Sequence, residues 1–150
     1  MISLSEELIR QIETHGERTY PHECGGMLIG RFDVETGKKT VVELLPMENA
    51  MDESEQHNRV LILPKDVLRA ERYAREKRLD VVGYYHSHPD HPARPSQFDL
   101  DHALPVWSYI IVSVEKGKAA DLRSWEMEND RSKFNEEEIK IEFKELFADA

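Results

Sequence analysis

The chain has 150 residues, of which 39% are hydrophobic and 33% are charged, and its formal net charge is −10. This length allows one domain with a real core. No apolar run approaches the length of a membrane span or a signal peptide, and we therefore expect a cytoplasmic protein. The acidic balance argues against nucleic-acid binding, which needs a basic face, and the single cysteine, Cys24, excludes an internal disulfide and a cysteine-rich zinc cluster.

The first predicted elements are a helix and a hairpin. An amphipathic pattern predicts a helix from Ser3 to His15, and Gly16 follows it as an end signal. The apolar run from Met27 to Gly30 predicts a strand. A turn signal at Asp33–Lys38 joins it to a second predicted strand, Thr40–Leu45, so the two strands form a hairpin.

A polar loop and a strand-helix pair follow the hairpin. Met47 to Asn58 is acidic and without periodicity, which predicts a surface loop that either contacts a substrate or is idle. Arg59–Leu63 predicts a third strand. Pro64 fits the first turn of a helix that runs to about Arg78, with its apolar side formed by Val67, Ala70 and Ala74.

The next predicted strand ends in two histidines. Val81 to Tyr85 is a β-branched and aromatic run, which predicts a buried strand leading directly into His86, Ser87 and His88. Because side chains two residues apart on an extended chain share a face, His86 and His88 can offer both imidazoles to one ion. Ser87 then points to the opposite face.

A proline-rich loop separates these histidines from a helix-start signal, Ser96 to Asp99. Ser96 is a good N-cap, and Asp99, three residues later, falls in the first turn. Each piece by itself has a structural explanation, as strand-end polarity and as a capping box. Together they predict that His86, His88 and Asp99 converge. Three protein ligands are typical of catalytic zinc, which keeps its fourth position for water.

One acidic residue upstream, Glu23, is a further candidate. It follows the chain break at Tyr20-Pro21 and precedes the first hairpin strand. By base rate it would be a surface residue. His22-Glu23 also begins a His-Glu-x-x-His zinc pattern, but Gly26 occupies the second histidine position, so that interpretation fails. Cys24 would face away from Glu23 and is predicted to pack in the core.

The remaining chain predicts mainly strands. Trp107–Val114 is a predicted buried strand, and a turn at Lys116–Lys118 follows it. Ala120–Met127 is predicted to run back beside it as the next strand. A last edge strand is predicted from the alternation of Ile139, Ile141 and Phe143. We expect a single domain over residues 1–150, with an acidic C-terminal extension from about residue 128 that is more typical of a solvated tail than of an interaction tail.

The combined pattern resembles the JAMM, or MPN-plus, metalloproteases. Their motif is an upstream Glu, then His-Ser/Thr-His, seven residues, and Ser-x-x-Asp; here the seven residues Pro89 to Pro95 separate His88 from Ser96. The resemblance extends from Glu23 to about Met127. It implies an α/β fold with a curved mixed β-sheet flanked by helices, similar to the cytidine deaminase architecture.

The resemblance also implies a mechanism. His86, His88 and Asp99 would hold Zn²⁺, Glu23 would act as the general base on a water molecule, and the Ser96 hydroxyl would stabilise the oxyanion. The reaction would be cleavage of a peptide or isopeptide bond after the C-terminal Gly-Gly of a ubiquitin-like sulfur-carrier or modifier protein. The size of the chain is similar to the compact prokaryotic branch of the family.

Some alternatives stay open at this point. A non-catalytic MPN-type scaffold would share the fold but typically lacks the ligand residues. A zinc deaminase of similar fold would need a Pro-Cys-x-x-Cys pair, which one cysteine cannot supply. Within the JAMM interpretation, His91 and His102 are less favoured as ligands, and His102 is also a candidate for a contact around the metal.

Overall fold

The computed structural model describes residues 1–47, 49 and 63–143. Its elements, in chain order, are β1 (Ile2–Ser5), α1 (Glu6–Thr19), β2 (Gly25–Phe32), β3 (Lys39–Met47), α2 (Pro64–Glu76), β4 (Asp80–Pro89), α3 (Gln97–His102), β5 (Ser108–Glu115), β6 (Lys118–Met127), β7 (Phe134–Glu137) and β8 (Ile139–Glu142). None of these helices has the length and apolar character needed to cross a membrane.

The described strands form one mixed sheet in the order β7-β6-β5-β4-β2-β3-β1-β8. β4 runs parallel to β5, and β1 runs parallel to both β3 and β8, whereas the other neighbours are antiparallel. Only Glu138 separates the two outermost strands in the chain, so the sheet curls until its edges approach each other. The predicted fold class, a curved mixed sheet flanked by helices, is confirmed.

Both faces of the sheet are covered by helices. Alternate residues of β2 point to opposite faces, as a pleated strand requires. Leu28 packs into the cluster that includes the apolar face of α1, whereas Met27 and Ile29 pack with Ala70 and Ala74 of α2. The central strands are therefore buried on both sides, which explains why their sequences read as continuous apolar runs.

The first helix begins later than predicted. Helix α1 starts at Glu6 rather than Ser3, and the residues before it form β1. Ser5 is the N-cap, and its Oγ accepts a hydrogen bond from the backbone N–H of Leu8 at 3.1 Å. Strand β1 has four residues and pairs with distant parts of the chain, so no local pattern distinguishes it from the first turn of a helix.

Gly16 was predicted to end this helix, and that prediction is wrong. The residue is buried inside α1, which continues to Thr19. A Cβ at Gly16 would lie 3.0 Å from Val114 Cγ2 and 3.2 Å from Ser87 Cβ. Glycine is needed here because it allows the helix to approach β4 and β5 closely.

Most of the other predicted elements are confirmed, several with wider bounds. The β2–β3 and β5–β6 hairpins, the start of α2 at Pro64 and the last edge strand all form. Strand β7 was not predicted, and it and β8 both come from the acidic segment after residue 128. Met47 ends β3 and Leu63 is the N-cap of α2, but the rest of the predicted loop and third strand, apart from Asn49, lies outside the described residues.

Candidate metal centre

Side chains from three parts of the fold meet at the carboxyl end of β4. The strand supplies His86 and His88, Asp99 lies in the first turn of α3, and Glu23 comes just before β2. Strands β2 and β4 are antiparallel, with Gly25 opposite His86. Continuing this register by two residues places Glu23 beside His88. The antiparallel pairing thus brings together residues that are far apart in sequence.

The spacing of the donor atoms suits a single metal ion. His86 Nε2 lies 3.2 Å from His88 Nε2 and 3.1 Å from Asp99 Oδ1, and His88 Nε2 lies 3.3 Å from Asp99 Oδ2. A tetrahedral zinc ion with bonds of about 2.0–2.1 Å separates its ligand atoms by about 3.3–3.4 Å. The two imidazoles and the Asp99 carboxylate therefore already have the separations that such an ion requires.

Glu23 lies slightly farther from the imidazoles. Its Oε1 is 3.8 Å from His88 Nε2, and the donor atoms of Glu23, His86 and His88 all lie within 4.8 Å of one another. The Glu23 side chain is 3% exposed, and its Oε2 has no hydrogen-bond partner within the described part of the chain. Asn49 Nδ2 donates to the Glu23 carbonyl oxygen at 3.2 Å, which helps to hold this backbone. One carboxylate oxygen is thus free for a further hydrogen bond.

A backbone carbonyl determines the tautomer of His88. Its Nδ1 lies 2.9 Å from the Pro92 carbonyl oxygen, which can only accept, so Nδ1 carries the proton. With the Nδ1 hydrogen held in this way, Nε2 is the ring nitrogen that faces the cluster and can bind a metal. On the other side, the ring of Tyr84 stacks against His86 with centroids 5.4 Å apart.

A capping box holds the Asp99 carboxylate in place. The Ser96 N–H donates to Asp99 Oδ2 at 2.7 Å, and the Asp99 N–H donates to Ser96 Oγ at 3.1 Å. The predicted N-cap is confirmed. Because the hydroxyl accepts this bond, its own hydrogen remains available for donation. The structural and functional interpretations of Ser-x-x-Asp are therefore compatible.

Burial and mutual charge drive the pKa values of the two carboxyl groups apart. Burial raises the pKa of Glu23 to about 7, although the neighbouring histidines oppose this shift. Burial also acts on Asp99, but His86 and His88 outweigh it and hold the pKa of Asp99 well below its usual value. Asp99 thus stays charged, whereas Glu23 can exchange a proton near neutral pH.

The same carboxylates also shift the pKa of His86. Burial by itself lowers the pKa of His86, but the carboxylates of Asp99 and Glu23 raise it, and the net pKa lies above the usual value. The negative charge of the two carboxylates thus favours the protonated form of the His86 ring.

The two less favoured histidines do not join the cluster. His102 is exposed, its Nδ1 donates to the Phe98 carbonyl oxygen at 2.8 Å, and its ring stacks on Phe98. His91 is exposed in the loop after β4. Tyr84 was not among the predicted site residues, although it precedes His86 by two residues and therefore shares its face of the strand.

Two cavities flank the cluster and differ in character. The first, of about 210 Å³, is reached by His86 and Asp99 and is otherwise mainly apolar, with Met27, Val67, Phe98, Leu104 and Trp107 in its lining. The second, of about 270 Å³, lies on the side of Glu23, His88 and Ser96 and includes His91, Pro92 and Arg94. The cluster thus lies between an apolar cavity and a polar cavity.

Comparisons with known proteins show which family the chain is similar to. Residues 5–128 match the family described as prokaryotic homologs of the JAB domain. A human MPN domain-containing protein is 29% identical over 100 residues, which make up 67% of this chain and 20% of the human protein. The chain therefore spans about a fifth of the length of that relative.

Solved structures are similar over nearly the whole chain. A protein from Salinibacter ruber is 38% identical with a TM-score of 0.71, and the match covers 93% of this chain and 91% of that protein. A protein from Desulfitobacterium hafniense is 29% identical with a TM-score of 0.81, and the match covers 99% of this chain and 97% of that protein. A JAB1/MPN domain protein from Archaeoglobus fulgidus shares the fold, with 20% identity and a TM-score of 0.58. That match covers 93% of this chain and 97% of that protein.

Proposed function

We propose that this chain, which belongs to the family of prokaryotic homologs of the JAB domain, is a zinc-dependent peptidase. The proposed reaction is hydrolysis of a peptide or isopeptide bond after the C-terminal Gly-Gly of a ubiquitin-like sulfur-carrier or modifier protein. The observation that carries the proposal is the 3.1–3.3 Å spacing of the imidazole and Asp99 donor atoms, next to a buried Glu23 with one free oxygen.

The donor set fits zinc. Two imidazole nitrogens from His86 and His88 and one carboxylate oxygen from Asp99 are a combination that catalytic zinc sites use, and three protein ligands leave a position open for water. A zinc ion held by these residues supplies a Lewis acid and lowers the pKa of water toward 7.

Glu23 is the proposed general base. Its free Oε2 and its position beside the two imidazoles suit it to take a proton from the attacking water and to return that proton to the leaving amine. The water oxygen adds to the carbonyl carbon, the carbon–nitrogen bond breaks, and the amine leaves with the proton from Glu23. The Ser96 hydroxyl donates a hydrogen bond to the oxygen on which negative charge develops.

The burial of the cluster supports a diglycine substrate. The relative exposures of Glu23 and His86 are 3% and 1%, so the scissile carbonyl has to approach closely through a restricted entrance. Glycine has no side chain to prevent that approach, and an extended Gly-Gly tail can lie between the two cavities. A bulky residue next to the scissile bond would be held away from Glu23.

The test is a cleavage assay with zinc-loaded protein. Ubiquitin-like carriers from the same genome, extended beyond Gly-Gly, are incubated with the protein, and the products are identified by mass spectrometry. We expect cleavage after the second glycine, loss of cleavage with a chelator, and recovery with zinc. Substrates with Val in place of the penultimate glycine should not be cut.

Two outcomes would contradict these statements separately. If zinc-loaded protein cuts no carrier, the proposed peptidase activity is wrong and a non-catalytic MPN-type scaffold replaces it. Equal cleavage of the Gly-Gly and Val-Gly carriers would remove only the argument about a restricted entrance.

A further inference from the structure

The polar cavity contains an arginine that the proposed chemistry does not use. Arg94 shares this space with Glu23, His88 and Ser96. The cavity volume of about 270 Å³ is slightly below the ~300 Å³ at which sites for drug-sized ligands begin. It therefore has room for one or two amino-acid residues, and not for the surface of a folded partner.

The backbone that leads to Arg94 is held by hydrogen bonds on three successive carbonyl groups. Ser113 Oγ donates to the His91 carbonyl at 2.6 Å, His88 Nδ1 donates to the Pro92 carbonyl at 2.9 Å, and Trp125 Nε1 donates to the Ala93 carbonyl at 3.0 Å. The Arg94 N–H also donates to the Pro92 carbonyl, at 2.8 Å. Arg94 is thus presented from a fixed stretch of chain beside the metal-ligating His88.

The guanidinium group of Arg94 has no hydrogen-bond or ion-pair partner in residues 1–47, 49 and 63–143. Arginine keeps its charge at all ordinary pH values, and its planar fork of N–H donors matches a carboxylate with two parallel hydrogen bonds. Because the cavity lies next to the bond that would be cut, the Arg94 guanidinium is suited to bind a carboxylate that belongs to the substrate.

The direction of proton transfer identifies which part of the substrate enters this cavity. Glu23 returns its proton to the leaving amine, so the leaving group has to lie in the cavity that Glu23 lines. The Gly-Gly end of the carrier then lies on the opposite side, toward His86, Asp99 and the apolar cavity.

We propose that Arg94 binds the C-terminal carboxylate of a short leaving group, so that the substrate is a carrier with one or two residues after its Gly-Gly. This inference rests on the proposed peptidase function. An extended residue spans about 3.3–3.6 Å, so the carboxylate of such an extension stays inside the cavity. The lysine of an isopeptide-linked protein carries no carboxylate there, because its main chain continues in both directions. The products are the carrier ending in a Gly-Gly carboxylate and a free amino acid or dipeptide.

A binding experiment tests this inference without turnover. Zinc-loaded Glu23→Gln protein is titrated by calorimetry with two synthetic peptides that end in Gly-Gly-Ala, one with a free carboxylate and one with a C-terminal amide. Arg94 is exposed, so solvent screens its contact with a carboxylate, and we expect the acid to bind roughly 2- to 5-fold more tightly than the amide. Adding Arg94→Gln should abolish the preference, and adding Arg94→Lys should keep part of it. Arg72→Gln, an equal charge change at an exposed position on α2, should leave the preference intact.

The outcomes separate this inference from the function on which it rests. Equal affinity for the two peptides, or a preference that survives Arg94→Gln, overturns the inference. In a matching assay with the wild-type protein, the acid-terminated substrate should have the higher kcat/KM, and Arg94→Gln should raise the KM for that substrate.

Cleavage of a lysine isopeptide as efficient as that of the acid also overturns the inference, but not the proposed function. Acid-selective binding without cleavage of any substrate overturns the peptidase function instead and leaves carboxylate binding by Arg94 in place.

Discussion

Two regions at opposite ends of the sheet bury charged groups, and they balance the charge in different ways. At the carboxyl end of β4, the carboxylates of Glu23 and Asp99 face two imidazoles, and no lysine or arginine of the described chain forms an ion pair with them. At the other end, where β3 begins, Lys39 Nζ lies 3.4 Å from Glu126 Oε2 and 3.9 Å from Glu137 Oε2. We call this second group, Lys39, Glu126 and Glu137, the charge seam.

The charge seam is neutralised by the protein itself. Burial and the neighbouring Glu126 raise the pKa of Glu137, whereas Glu137 and Lys39 outweigh burial and lower the pKa of Glu126. Two ammonium groups, Lys39 Nζ and that of Met1 at 3.4 Å from Glu137 Oε2, thus face the two carboxyl groups of this region, which joins β3 to the last strands. Among the residues that the structure describes, the metal-centre cluster has titratable imidazoles and no lysine or arginine as internal counter-charge. Buried acids alone therefore do not indicate a metal site. The informative feature of the described part of the chain is that the donor atoms lie 3.1–3.3 Å apart, as one ion requires, with imidazoles and no fixed cation beside them.

Glu23→Gln, which keeps the shape of the side chain and removes the proposed base, should have the strongest effect. General-base catalysis contributes about 10²- to 10⁴-fold, so kcat should fall by at least that order while zinc content stays near the wild-type value. The measurement is steady-state kinetics together with metal analysis. Glu137→Gln in the charge seam is the matched control and should change neither value. A Glu23→Gln protein that keeps most of its activity would show that another group is the base.

A substitution in the charge seam should change the free energy of unfolding and leave zinc binding unchanged. Lys39→Met removes one of the two cations beside Glu137, the other being the Met1 ammonium at 3.4 Å from Glu137 Oε2. The loss in the free energy of unfolding should therefore be smaller than the about 3–5 kcal/mol that a fully broken buried pair costs. Urea denaturation measures this cost, and Lys118→Met, at an exposed position, is the control. Zinc bound per folded chain should not change. Wild-type stability in Lys39→Met would mean that the two regions do not differ as described.

Asp99→Asn should weaken zinc binding while the cluster keeps its shape. The substitution removes the charge of a proposed ligand, so we expect a loss of affinity at least as large as the roughly 10- to 100-fold caused by changing an outer contact of a metal ligand. Activity should recover in part with added zinc, because the base is intact. No zinc concentration should rescue Glu23→Gln. Equal responses of the two variants to zinc would contradict the separate roles of Asp99 and Glu23.

The smallest expected effect is the pH dependence of zinc affinity. The pKa of His86 is raised, so in the metal-free protein the ring keeps its proton to a higher pH than an ordinary histidine. Zinc has to displace that proton, and affinity should fall as the pH decreases, by about tenfold per pH unit for each proton displaced. Competition titrations between pH 8 and pH 6 measure this slope. An affinity independent of pH over this range would mean that the imidazoles are not ligands.

The sequence predicted the local parts of the candidate site better than it predicted the sheet. The positions of His86, His88 and Asp99 depend on strand alternation and on a capping box, which are both short-range patterns. Strand β1 was missed because its four residues depend on pairing with β3 and with β8, which lies at the far end of the described chain. The hydrogen-bonded loop carbonyls before Arg94 likewise depend on side chains from other strands.

The measurement that tests the metal centre most directly is the zinc content of the purified protein and of three histidine variants. We expect about one zinc per chain in the wild-type protein and almost none in His88→Ala. His91→Ala and His102→Ala should keep their zinc, because neither side chain is in the cluster. If His88→Ala keeps its zinc while either of the other two variants loses it, the metal centre described here is wrong.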